Sequence, residues 1–216
     1  MKIQESELRI RVGNVVVIGN LNLPAQAKSI VLFAHGSGSG RFSPRNQYVA
    51  KVFNKLKIAT LLFDLLTIEE EQEDIITANY RFNIKLLADR LVGATKWLKN
   101  DPITRSLSFG YFGASTGAAA ALIAAAKLPK YISALVSRGG RPDLAGDYLH
   151  DVVAPTLLLV GGWDTEVIEL NRQAQSQMTN KNKLEIIPEA THLFEEAGKL
   201  EIVAKLSADW FLRYLV

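Results

Sequence analysis

The chain has 216 residues, of which 48% are apolar, and a formal charge of +3 from 25 basic and 22 acidic side chains. That length suits a single domain, 1–216, with a sizeable core, and the scattered, nearly balanced charge argues against nucleic acid as a partner. There is no Cys, which excludes disulfides, thiolate catalysis and a Cys-ligated zinc site.

The first residues, MKIQESELRIRVGN, lack the apolar run of a secretory signal. No apolar stretch approaches the length of a bilayer span, so a cytoplasmic protein with no membrane partner is expected. Residues 7–12 and 14–23 read as two strands joined at Gly13-Asn14, the first alternating charged and apolar residues as a half-exposed edge strand does. Residues 29–34 form a short apolar strand that runs into the glycine-rich loop His35-Gly36-Ser37-Gly38-Ser39-Gly40.

Ser43-Pro44 is an N-cap followed by proline at the first helical position, and Val49, Val52, Phe53 and Leu56 recur at helical spacing behind it. Residues 58–63 are the next strand. Residues 65–80 carry the acidic run Glu69-Glu70-Glu71-Gln72-Glu73-Asp74 and are expected to be a polar excursion on the rim. Leu87, Leu91, Ala94 and Leu98 mark a helix that ends at Asn100-Asp101-Pro102.

Strands follow at 107–112, 132–136, 156–160 and 184–187, with helices at 118–127 and 167–178 and a short one ending near His150. Leu200, Val203, Leu206, Trp210 and Tyr214 line one face of a C-terminal helix. Strands alternating with helices after an opening hairpin imply a mainly parallel sheet covered on both faces, an α/β fold with an antiparallel N-terminal hairpin.

The most informative stretch is Gly113-Ala114-Ser115-Thr116-Gly117, between an apolar strand and a helix of small residues. Strand, tight turn, helix, with Ser between two glycines, is the G-x-S-x-G nucleophile elbow. The helix N-terminus then directs partial positive charge at a developing oxyanion. Such a serine needs a base, an orienter for the base and two oxyanion donors, and in a parallel sheet these belong at the carboxyl ends of strands.

His192 follows the last strand and is the candidate base. Asp164 follows the preceding strand at Gly161-Gly162-Trp163-Asp164 and is the candidate orienter, although its position also suits the N-cap of the next helix. The backbone N–H groups of Ser37 and Thr116 are the candidate oxyanion hole. The glycine-rich loop lacks the P-loop spacing, and His35 is expected to buttress it. Arg138, at the end of the strand 132–136, is the arginine placed to meet a substrate carboxylate. Trp163 and Phe194, each beside a candidate catalytic residue, are candidate walls of the acyl pocket, with core packing as the alternative for both.

The chain resembles the α/β hydrolases of the dienelactone-hydrolase-like group over nearly its full length. The resemblance rests on Val31–Gly38 (VLFAHGSG), Gly110–Gly117 (GYFGASTG), Val160–Asp164 (VGGWD) and Ala190–Phe194 (ATHLF). It implies the α/β-hydrolase fold, a triad of Ser115, Asp164 and His192, and no metal or other cofactor. One departure stands out: dienelactone hydrolases are known for a Cys nucleophile, and this chain has Ser115.

The expected activity is hydrolysis of small ester or lactone substrates through an acyl-enzyme. A thioesterase, acyltransferase or peptidase on the same triad, or a catalytically silent binding protein, remain as alternatives. No insertion is long enough for a large lid.

Overall fold

A computed structural model describes residues 3–215. β1 (Ile3–Val12) and β2 (Val15–Pro24) pair antiparallel over their whole length, and Gly13 turns the corner with φ 57°. β1 begins four residues before the apolar pattern does, because its first residues are held by the ladder to β2 rather than by a buried face.

The remaining strands are β3 (Ser29–Ala34), β4 (Ile58–Phe63), β5 (Ser108–Ala114), β6 (Ile132–Arg138), β7 (Thr156–Gly161) and β8 (Asn182–Ile187). They join the hairpin in one sheet of order β1-β2-β4-β3-β5-β6-β7-β8. β2 meets β4 antiparallel and every later pairing is parallel. β3, β4 and β7 are buried at every residue, as strands covered on both faces must be.

α1 (Pro44–Lys55) and α6 (Lys199–Tyr214) cover one face, packed on each other. α3 (Ile84–Asn100), α4 (Thr116–Lys127), a 3-10 segment (Pro142–Asp151) and α5 (Thr165–Gln177) cover the other. The apolar layer on the first face joins Phe33, Phe53, Phe112 and Phe211 with Ala134 and Val136. Leu135 belongs to the layer on the second face, where the alanines of α4 allow close approach to the sheet. Side chains therefore alternate between the layers along β6, and Arg138 lies on the α1 side.

The acidic stretch 65–80 is largely exposed and has regular structure of its own. It contains α2 (Ile68–Thr77), closed by a capping box: the Glu70 N–H donates to Thr67 Oγ1 at 3.2 Å and the Thr67 N–H to Glu70 Oε2 at 2.8 Å. Asp74 is its buried residue, while Ile75 and Ile76 stand in solvent. Ion pairs from Arg90 to Glu70 and from Arg81 to Asp74 hold it to the body. Among the described residues, no helix is long and apolar enough to cross a membrane.

Candidate active site

β5 ends at Ala114, and Ser115 follows with φ 50° and ψ −124°, a conformation that costs a non-glycine residue about 1–3 kcal/mol. The neighbouring backbone enforces it. The Ser115 N–H donates to Arg138 O at 3.3 Å on β6, and Ser115 O accepts from the Arg141 N–H at 3.1 Å. A Cβ on Gly117 would meet Ala34 O at 2.2 Å, and one on Gly113 would meet the Ala118 Cα at 2.4 Å. The two glycines of the motif are thus required by close approach on both sides of the turn. Ser115 occupies the N-cap position of α4, yet its side chain makes no capping hydrogen bond.

Asp164 shows the same departure from a structural role. It is the N-cap residue of α5 and does not cap it. Its carboxylate instead turns to His192, where Oδ2 lies 2.6 Å from Nδ1. With the carboxylate ionised, Nδ1–H donates and Nε2 is left as the acceptor. The loops carrying the two residues are held together by backbone bonds from the Gly162 N–H to Ile187 O at 2.8 Å and from the Trp163 N–H to Ala190 O at 3.0 Å. The Asp164 side chain is 16% exposed and that of His192 37%, so the carboxylate is shielded and the imidazole is open.

His192 rests against the end of β6: an atom at the Cβ position of Gly139 would lie 3.5 Å from its Nδ1. The end of β6 is therefore bonded to the Ser115 backbone and in contact with His192, which brings both residues to one carboxyl edge of the sheet.

On the other side of the elbow, the Ser37 N–H donates to Thr116 Oγ1 at 3.1 Å, and Ser37 Oγ lies 3.0 Å from the same oxygen. The two expected oxyanion donors thus sit on adjoining turns, but the hydroxyl of Thr116 takes the Ser37 N–H. No sequence signal distinguishes that hydroxyl from an ordinary first-turn threonine. His35 buttresses the loop as expected. Its Nε2 accepts from the Leu65 N–H at 3.0 Å, which leaves Nδ1–H to donate to Gly36 O at 3.0 Å. Burial pushes its pKa down, in keeping with a neutral ring.

The expected substrate contacts are placed differently. Phe194 is 1% exposed and belongs to the apolar layer with Ile187 and Val203; it is a core residue, not a pocket wall. Trp163 is 60% exposed at the rim. Arg138 is 6% exposed beneath the first turn of α1, where Nη2 donates to Asn46 Oδ1 at 3.3 Å, instead of standing open at the rim. Its Nε has no hydrogen-bond partner among the described residues. Arg45, which spacing did not single out, reaches Glu195 at 3.0 Å.

No family model matches the chain. A solved structure described as a dienelactone hydrolase from Anabaena variabilis superposes on it with a TM-score of 0.99 at 56% identity, covering 100% of both chains. The chain belongs to the dienelactone hydrolase family. A serine hydrolase without a lid from Xanthomonas campestris has the same fold, with a TM-score of 0.77 at 18% identity over 100% of this chain and 97% of that one.

Two Mycobacterium tuberculosis proteins, from different strains and both named provisionally as phosphoribosyl transferases, are 56% identical over 213 residues. The match covers 99% of this chain and 47% of theirs, so the chain spans about half the length of the curated relatives it matches.

Proposed function

We propose that the chain is a serine carboxylic-ester hydrolase that acts on ester or lactone substrates through an acyl-enzyme. Ser115 Oγ attacks the carbonyl carbon while His192 Nε2 takes its proton. Asp164 holds the tautomer and stabilises the imidazolium. The N–H of Thr116, at the start of α4, and that of Ser37 receive the oxyanion once the Thr116 hydroxyl rotates away from Ser37. The acyl–oxygen bond then breaks, and the leaving alkoxide takes the proton from His192. Water, deprotonated by His192, attacks the acyl carbon; the bond from that carbon to Ser115 Oγ breaks, His192 returns the proton to Oγ, and the free acid leaves.

The observation that carries this reading is the pair of N-cap residues that decline to cap. Ser115 stays strained with its hydroxyl off the helix, and Asp164 gives its carboxylate to His192 at 2.6 Å. A scaffold protein has no use for either arrangement. The family membership supports hydrolysis as the reaction class. The phosphoribosyl-transferase name is read here as belonging to the part of those longer relatives that this chain does not span.

The test is turnover of p-nitrophenyl acetate. Ser115→Ala is expected to lower kcat by about 10⁴-fold or more while leaving the circular dichroism spectrum unchanged. Ordinary turnover by that variant would remove Ser115 from the mechanism.

A further inference from the structure

A groove of about 930 Å³ opens between the β1–β2 hairpin, the glycine-rich loop after β3 and α2. Its volume falls in the range that buries most of a drug-sized ligand and far exceeds what an acetyl group fills. Val16, Ile18, Phe42, Leu66 and Ile68 supply apolar surface along it, interspersed with the charged Arg9, Arg45, Asp64, Glu69 and Glu71. Three of these are large side chains left in solvent: Val16 at 38%, Phe42 at 62% and Ile68 at 65% exposure. Exposed apolar side chains gathered round one concavity mark a binding surface rather than scattered surface residues.

The inner end of the groove is lined by Ser37 and Gly38, and Ser37 is the residue whose N–H reaches Thr116, the neighbour of Ser115. The groove therefore includes the oxyanion loop, and neither Asp164 nor His192 lines it.

Topology decides which part of an ester it would hold. β5, which ends in the elbow, has β3, β4 and β2 on one side and β6, β7 and β8 on the other. His192 and Asp164 follow β8 and β7, whereas the groove is built on the β2, β3 and β4 side. His192 must protonate the leaving oxygen, so the alcohol lies on its side and the acyl group extends the opposite way. Resting on the hydrolase reading above, we propose that this groove is the acyl-binding site and that it takes an apolar acyl group several methylenes longer than acetyl.

The experiment compares kcat/KM for p-nitrophenyl acetate and p-nitrophenyl octanoate, below the micellar concentration of the longer ester, in the wild type, Val16→Asp and Ile68→Asp. Both side chains are exposed and stand on opposite walls, so either charge is tolerated by the fold, as thermal melts will show. The octanoate is expected to exceed the acetate by at least about tenfold, since burying two of its six added methylenes already gives about that factor. Each variant is expected to lose about that factor on octanoate and to hold acetate within about twofold. Equal kcat/KM for the two esters, or variants that treat octanoate as the wild type does, would overturn the inference and leave the hydrolase reading intact. Failure to hydrolyse either ester would overturn both.

Discussion

Gly117→Ala tests the geometry of the elbow directly. A Cβ at this position would stand 2.2 Å from Ala34 O, 2.6 Å from Ala34 C and 2.4 Å from His35 O. Ordinary contact begins at 3.4 Å, and all three atoms are backbone, so no side-chain rotation relieves the overlap. The end of β3 and the first turn of α4 must separate by about 1 Å. Overpacking of this kind costs about 1–3 kcal/mol, and a clash that only backbone can relieve belongs at the upper end. For a chain of this length that is a fall in Tm of about 6–12 °C.

The same displacement moves the Ser37 turn away from Thr116, and an error of about 1 Å in a catalytic geometry costs about 10²-fold in rate. Calorimetry and ester turnover measure the two effects. Gly38→Ala is the control: Gly38 has φ 68° but nothing within 4 Å of its Cβ position, so it carries only left-handed strain of about 1–2 kcal/mol. A Gly117→Ala protein no less stable and no less active than Gly38→Ala would refute the close-approach argument.

Asp164→Asn removes the charge that fixes the His192 tautomer, and kcat for p-nitrophenyl acetate is expected to fall by about 10³–10⁴-fold without loss of Tm; a fall below tenfold would reduce the carboxylate to a spectator. Burial pushes the guanidinium of Arg138 down to about 10, and the like charge of Arg45 adds to the effect. Arg138→Met is therefore expected to leave Tm unchanged or raise it, as exchanging a poorly compensated buried charge for an apolar side chain often does; a fall of more than about 5 °C would contradict this. The buried, neutral His35 titrates below its ordinary 6.5, so the unfolded chain binds a proton that the folded chain does not. Its contribution to stability is present above pH 6.5 and is lost as the pH falls below it, and the decline of Tm between about pH 7 and 5 should be shallower in His35→Asn. Parallel declines would remove His35 as the cause.

The elbow turn, the succession of strands and helices and the loops that carry Asp164 and His192 were legible in the sequence because each is local, whereas the order of strands in the sheet was not. A glycine pair flanks Ser115, and a short polar loop follows each of two apolar strands. The alternation that implies a parallel sheet is equally local. What escaped depends on contacts between distant segments. Phe194 neighbours His192 in sequence, but its ring is buried in the layer that β8 and α6 form, with Ile187 and Val203. Arg138 alternates onto the α1 face, a placement fixed by sheet register and not by neighbours in sequence.

The groove is assembled from the hairpin, the glycine-rich loop and α2, so no single stretch announces it. α2 itself could have been read. Thr67 followed three residues later by Glu70 is a capping-box signature, hidden by the acidic run around it.

The central claim is that Ser115 is an activated nucleophile, and covalent labelling with a fluorophosphonate tests it most directly. Intact mass and peptide mapping are predicted to show one adduct, on Ser115, in the folded protein, slowed in Asp164→Asn and absent from Ser115→Ala. A folded protein that takes up no label, or one labelled equally after Ser115→Ala, would contradict the account.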